Sequence, residues 1–95
     1  MRIMAIDFGD ARTGVAISDA TGLLAGTAVV ISSRKEETVA HEVARLVQEH
    51  GVDTLVLGLP RNMDGTEGPR AERCRAFAVR LQQATGLEPV LWDER

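Results

Sequence analysis

Asp53-Thr54-Leu55-Val56-Leu57-Gly58-Leu59 (DTLVLGL, residues 53–59) is a short apolar run in which polar and apolar residues do not alternate. Such a run predicts a strand covered on both faces, the habit of a parallel strand in an α/β sheet. Before it, Val39, Val43, Leu46 and Val47 recur at helical spacing, and Gly51 stops that helix. Ser33-x-x-Glu36 ahead of them reads as a capping box. After the run, residues 60–69 (PRNMDGTEGP) form a loop, and Pro69 suits the first turn of a second helix. Cys74, Phe77, Ala78 and Leu81 mark the buried face of that helix, and Gly86 ends it. Residues 89–92 (PVLW) are the next strand. Strand–helix–strand crossovers of this length predict parallel strands.

Upstream, residues 2–8 (RIMAIDF), 13–18 (TGVAIS) and 23–31 (LLAGTAVVI) read as three strands. The turns between them, residues 9–12 and 19–22, are too short for anything but an antiparallel meander. The expected fold is α/β: a five-stranded mixed sheet in the order 3-2-1-4-5 with flanking helices, strands four and five running parallel to strand one. One domain over residues 1–95 is expected. The chain stops on Asp93-Glu94-Arg95 at the carboxyl end of a strand, so the C-terminal part of the domain is expected to be missing. A sheet face left bare would promote association, and a homodimer is the simplest form of it.

Composition sets limits on function. The net charge is −3, so any contact with nucleic acid must rest on a local patch. Of the 11 basic residues only Lys35 is a lysine, which fits either forked phosphate contacts or a coding bias. Residues 61–80 hold five arginines (61, 70, 73, 75 and 80) against Asp64, Glu67 and Glu72, an excess of two positive charges. Those arginines suit phosphate contacts, and they equally suit a solvated helix face. Cys74 is the only cysteine, so no internal disulfide forms; its apolar neighbours predict a buried, inert thiol. No apolar run is long enough to span a membrane and the N-terminus has no signal-peptide pattern, so a cytoplasmic protein is expected. His41 and His50 fall on the first helix and are given no role.

Three carboxylates stand at strand ends: Asp7 after an apolar strand, and Asp93 and Glu94 after the last one. If the sheet brings those ends to one edge, the oxygens suit a hard cation such as Mg²⁺ or Mn²⁺. Alternation along a strand keeps Asp93 and Glu94 from both facing Asp7 unless the strand ends between them. Acids at strand ends also serve as turn and cap residues. The loop from Gly58 to Thr66 lies between a strand and a helix, a place that suits phosphate or a plain connection.

Ala5-Ile6-Asp7-Phe8-Gly9 with Arg12-Thr13-Gly14-Val15-Ala16 resembles the opening motif of the YqgF/RuvX family. Gly58-Leu59-Pro60 with Asn62-Met63-Asp64-Gly65-Thr66 is similar to its second motif, and Asp93-Glu94-Arg95 to the start of its third. The resemblance covers the whole chain. It implies a ribonuclease-H-like fold and a metal-dependent nuclease of nucleic acid, one that matures the 5′ end of precursor 16S rRNA or resolves Holliday junctions. By the resemblance Asp7 is the first metal-binding acid, and Glu94 or Asp93 the second. Arg12, Arg61, Asn62, Arg70 and Arg95 are the candidate nucleic-acid contacts. The family's third motif runs on into Ser/Thr residues and a further helix with another acid, both beyond Arg95. Two other readings compete. Asp7-x-Gly9 followed by Gly14 also resembles the first phosphate motif of actin-like ATPases and sugar kinases, and a non-catalytic nucleic-acid-binding module would need the arginines without the acids.

Overall fold

Met4, Ile6 and Phe8 are buried, while Ala5 is half-buried and Asp7 exposed. That two-residue period divides the sheet into two unlike faces. The computed structural model describes residues 1–21 and 26–94, the last of these through its backbone. Seven elements follow in order: β1 (Ile3–Asp7), β2 (Arg12–Ile17), β3 (Thr27–Ser32), α1 (Glu36–His50), β4 (Thr54–Pro60), α2 (Pro69–Thr85) and β5 (Val90–Glu94). They form one five-stranded sheet in the order β3-β2-β1-β4-β5. β1 pairs antiparallel with β2 and parallel with β4, and β5 adds in parallel beside β4. This is the expected mixed sheet in the expected order. Residues 23–25, with which the third strand was expected to begin, lie outside the described residues.

Met4 and Ile6 from β1, Val15 and Ile17 from β2, Ile31 from β3, and Leu55, Leu57 and Leu59 from β4 all point to one face. Both helices cover it. α1 contributes Val39, Val43, Leu46 and Val47, and α2 contributes Ala71, Cys74, Phe77 and Leu81. Phe8 and Phe77 stack with ring centroids 4.0 Å apart and planes within 8°. Gly51 and Gly86 end the helices at φ 63° and 77°, in the left-handed region that favours glycine. Pro69 opens α2 as expected.

Two local expectations fail. Ser33 does not cap α1: the helix starts at Glu36 behind Lys35, and the Ser33 hydroxyl accepts the Lys35 N–H at 3.1 Å instead. The serine closes a turn three residues ahead of the first helical residue, out of reach of the amides a capping box satisfies. Nor is β4 covered twice among the described residues. Its helix-side leucines are buried, but Thr54 and Val56 on the other face are only partly so. That face is a broad apolar groove of about 720 Å³, floored by Ala5, Ala16, Val30 and Val56 and ending at Asp7 and Trp92. Val30, Val90 and Trp92 are exposed on it.

The Phe8–Phe77 stack joins the end of β1 to α2, so Phe77→Ala should be the costly change in α2. A loss of about 3–5 kcal/mol is expected. Val79→Ala, at an exposed position of the same helix, should stay within about 0.5 kcal/mol. Urea denaturation of the two variants checks this, and similar losses would contradict a core centred on Phe77.

Candidate active site

Asp7 is the last residue of β1 and sits opposite Gly14 of β2. Ile6 lies beside Leu57 of β4, so the parallel register carries Asp7 to the level of Gly58. Gly58 in turn pairs with Trp92 of β5. The row across the sheet reads Gly14, Asp7, Gly58, Trp92. A glycine on each side of Asp7 leaves its carboxylate flanked by backbone rather than side chains. A Cβ placed on Gly14 would meet only the Asp7 Cβ, at 3.9 Å. The Asp7 carboxylate takes no hydrogen bond or ion pair from another described residue. Asp7 is exposed although its strand is apolar.

Asp93 behaves differently. It pairs with Leu59, whose side chain is in the core, so it alternates with Trp92 and faces away from the Asp7 side. Its carboxylate lies 3.9 Å from the Arg61 guanidinium. Arg61 also reaches Glu67 at 3.4 Å. Glu94 continues β5 beside Pro60, at the register position that alternates with Asp93. The expected convergence of three acids is therefore not met by Asp93. Among the described residues no three His, Cys, Asp or Glu side chains gather. A hard oxygen-seeking cation that retains several waters fits the uncommitted Asp7 oxygens.

The loop after β4 is organised by its own side chains. Asn62 Nδ2 donates to Thr66 Oγ1 at 2.9 Å, and the Asn62 amide donates to the Thr66 carbonyl. Asp64 accepts from the Thr66 hydroxyl at 2.6 Å and from its amide at 2.9 Å. Those two bonds hold the Asp64 carboxyl below the usual carboxylate range. Arg75 donates to both Glu67 oxygens at 2.7 Å and lowers Glu67 in the same way. Of the candidate nucleic-acid contacts, Asn62 is thus a loop-building residue and Arg61 is held by two acids. Arg12 is exposed at the start of β2. Arg70 donates to the Phe8 carbonyl at 3.4 Å and approaches Asp10. Arg95 lies outside the described residues. Sequence reasoning gave Asp10 no role and counted Arg73 only within the basic segment, yet the two are ion-paired to each other. The signal was the spacing of Arg70 and Arg73, which places both on one side of the first turns of α2.

Residues 1–95 match the RuvX family, described as Holliday junction resolvase. The chain belongs to that family. A relative from Pelotomaculum thermopropionicum, named for a pre-16S rRNA nuclease, is 49% identical over 96 residues. The match takes in all of this chain, which spans 62% of that relative's length. Among solved structures, RuvC from Thermus thermophilus superposes with a TM-score of 0.69 over 98% of this chain and 64% of its own, at 11% identity. The ROK hexokinase from Thermus thermophilus superposes with a TM-score of 0.59 and 26% identity, over 98% of this chain and 35% of its own. The RuvX chain thus shares its sheet with both kinds of protein. Among the described residues no helix is long and apolar enough to cross a membrane.

Two measurements test this geometry. A Cβ on Gly9 would fall 2.2 Å from the Arg12 carbonyl oxygen, which is backbone and cannot step aside. Gly9→Ala should therefore cost on the order of 1–3 kcal/mol, while Gly14→Ala stays within about 0.5 kcal/mol. Thermal melts that rank the two the other way would refute the turn geometry. Glu67 should titrate below the ordinary carboxylate range in an NMR pH series, and Arg75→Gln should raise its midpoint. A depressed folded-state pKa stabilises above the unfolded value, and that contribution is lost as pH falls through the folded one. The Arg75→Gln chain should accordingly lose less stability on acidification than the parent.

Proposed function

We propose that this chain carries the first metal-binding acid of a nuclease that hydrolyses phosphodiester bonds in 5′-end maturation of precursor 16S rRNA. The observation that carries the reading is Asp7: an exposed, uncommitted carboxylate at the end of the central strand, flanked by two glycines, in a chain matched to the RuvX family along its whole length. Asp7 would hold Mg²⁺ or Mn²⁺ through its oxygens. Glu94 is the second acid in this reading, supported by its register position. Asp93 serves instead to hold Arg61. A divalent cation so placed supplies an activated water and neutralises charge on the phosphoryl oxygens. Arg12 and Arg70 flank the end of β1 and would fix the nucleic-acid backbone through its phosphates.

Resolution of Holliday junctions is the second reading, favoured by the description of the matching family. The two readings call for the same acids and differ in the shape of the nucleic acid. A cytoplasmic location follows from either. A homodimer across the open apolar face fits the exposed Val30 and Trp92.

The test is a set of melting curves with and without Mn²⁺, for the parent and Asp7→Asn. Without metal the two should agree within about 0.5 kcal/mol, because Asp7 is exposed and unpaired. Mn²⁺ at about ten times its Kd should stabilise the parent by roughly 1.4 kcal/mol, a rise of several degrees, and leave the variant unmoved. Equal shifts in both would remove Asp7 as a ligand and sink the nuclease reading. Mg²⁺-dependent cleavage of a precursor-rRNA 5′ segment, set against cleavage of a four-way DNA junction, separates the two substrates.

A further inference from the structure

Among the described residues, one carboxylate faces two arginines that have no other acidic partner. Arg45 faces two carboxylates, Glu42 and Glu49. Arg61 and Arg75 face Glu67 and Asp93. In the turn after β1, by contrast, Asp10 stands alone against two arginines. Arg73 Nη1 donates to Asp10 Oδ1, and Arg70 Nη1 lies 3.6 Å from Oδ2. The cluster keeps a surplus of one positive charge.

It is also built rather than loose. Arg70 Nη2 is tied to the Phe8 carbonyl, and the Arg73 guanidinium sits 5.8 Å from the centroid of the Phe8 ring. Phe8 is itself stacked on Phe77 in the core. Two guanidinium groups are thus anchored to Phe8, the buried residue next to Asp7. Their ion pairs to Asp10 remain about half exposed, with Asp10 at 56%, Arg70 at 57% and Arg73 at 46%. Pairs that open to water are weakly held.

We propose that Asp10 is an internal stand-in for a nucleic-acid phosphate, occupying a two-arginine site of Arg70 and Arg73 from which a backbone phosphate displaces it. A carboxylate and a phosphodiester each offer two oxygens and one negative charge to a guanidinium fork, so one can replace the other on the same donors. A polyanion brings several phosphates at once and releases condensed counterions on binding, which a single aspartate does not. The hydrogen bond from Arg73 lowers the pKa of Asp10, and an aspartate is charged at neutral pH in any case. Asp10 then sets the threshold for binding, and only a strand that is also held near Asp7 outcompetes it. The proposal rests on the nucleic-acid reading above and adds to it a site and a regulator.

The experiment measures fluorescence anisotropy of a labelled single-stranded RNA against salt, for the parent, Asp10→Asn and Glu88→Gln. Glu88 is exposed in the connection before β5, and its change removes the same charge far from the cluster. Asp10→Asn should bind on the order of three- to tenfold tighter than the parent and steepen the log–log salt slope by about 0.7 for each further phosphate that an arginine neutralises. Glu88→Gln should tighten binding much less. In an Arg70→Gln/Arg73→Gln background the benefit of Asp10→Asn should vanish, since coupled residues do not act additively. A tightening equal to that of Glu88→Gln, or one that survives loss of both arginines, overturns the proposal and leaves the nucleic-acid reading standing. A second arm titrates inorganic phosphate while following the arginine Nε–H signals by NMR. If phosphate moves Arg70 and Arg73 more strongly in Asp10→Asn while RNA binds no variant, the anion site stands and the nucleic-acid reading falls. If neither phosphate nor RNA moves those signals, the site itself is refuted.

Discussion

Strand β1 has an antiparallel neighbour on one side and a parallel one on the other. Its side chains must therefore serve both kinds of connection with one two-residue period. Met4, Ile6 and Phe8 take the helix side and anchor the core; Ala5 and Asp7 take the other. Shifting that register by one residue would expose the core set and bury the carboxylate. The crossovers hold the register in place. α1 and α2 both pack on the face that receives Leu55, Leu57 and Leu59, so β4 can dock beside β1 in one phase only.

The fold was legible because its signals are local. Turns too short for a crossover forced the meander, and helical periods between apolar runs forced the parallel strands. Gly51 and Gly86 announced the helix ends through a backbone conformation that other residues adopt only at a cost. The failures have a common cause. Ser33 carried a capping pattern, but whether it caps depends on where the helix starts, and that is decided by the packing of α1 on the sheet. The apolar run at residues 53–59 showed strand character correctly; how many layers cover it depends on elements elsewhere in the chain.

The site was legible in part for the same reason. Asp7 stood out by position alone, at the end of an apolar strand ahead of a glycine. The separation of Asp93 from Asp7 followed from alternation once the register of β5 was known, and the sequence holds that register only through the length of α2. Partners distant along the chain left no local trace. Asp10 and Arg73 are 63 residues apart, and nothing around either residue names the other. Residues 61–80 showed an excess of positive charge, but not which arginines are neutralised. The fold spends Arg61 and Arg75 on Glu67 and Asp93 and leaves the surplus at the end of β1.

Four residues, Asp7 to Asp10, then tie the chemistry to the core. Asp7 gives its carboxylate to the open face of the sheet. Phe8 turns inward and stacks on Phe77, fixing where β1 ends relative to α2. Gly9 lets the chain bend so tightly that a Cβ would strike the Arg12 carbonyl. Asp10 emerges on the helix side, against Arg70 and Arg73. One strand end thus offers an acid on one side of the sheet edge and an acid held by arginines on the other. The turn between them is tied to the core by a buried aromatic stack. Groups that handle a charged backbone must hold their separation against the pull of that charge, and side chains anchored through packed cores do so better than side chains on loops. The rigidity of Phe8 is therefore as much a part of this site as the carboxylates on either side of it.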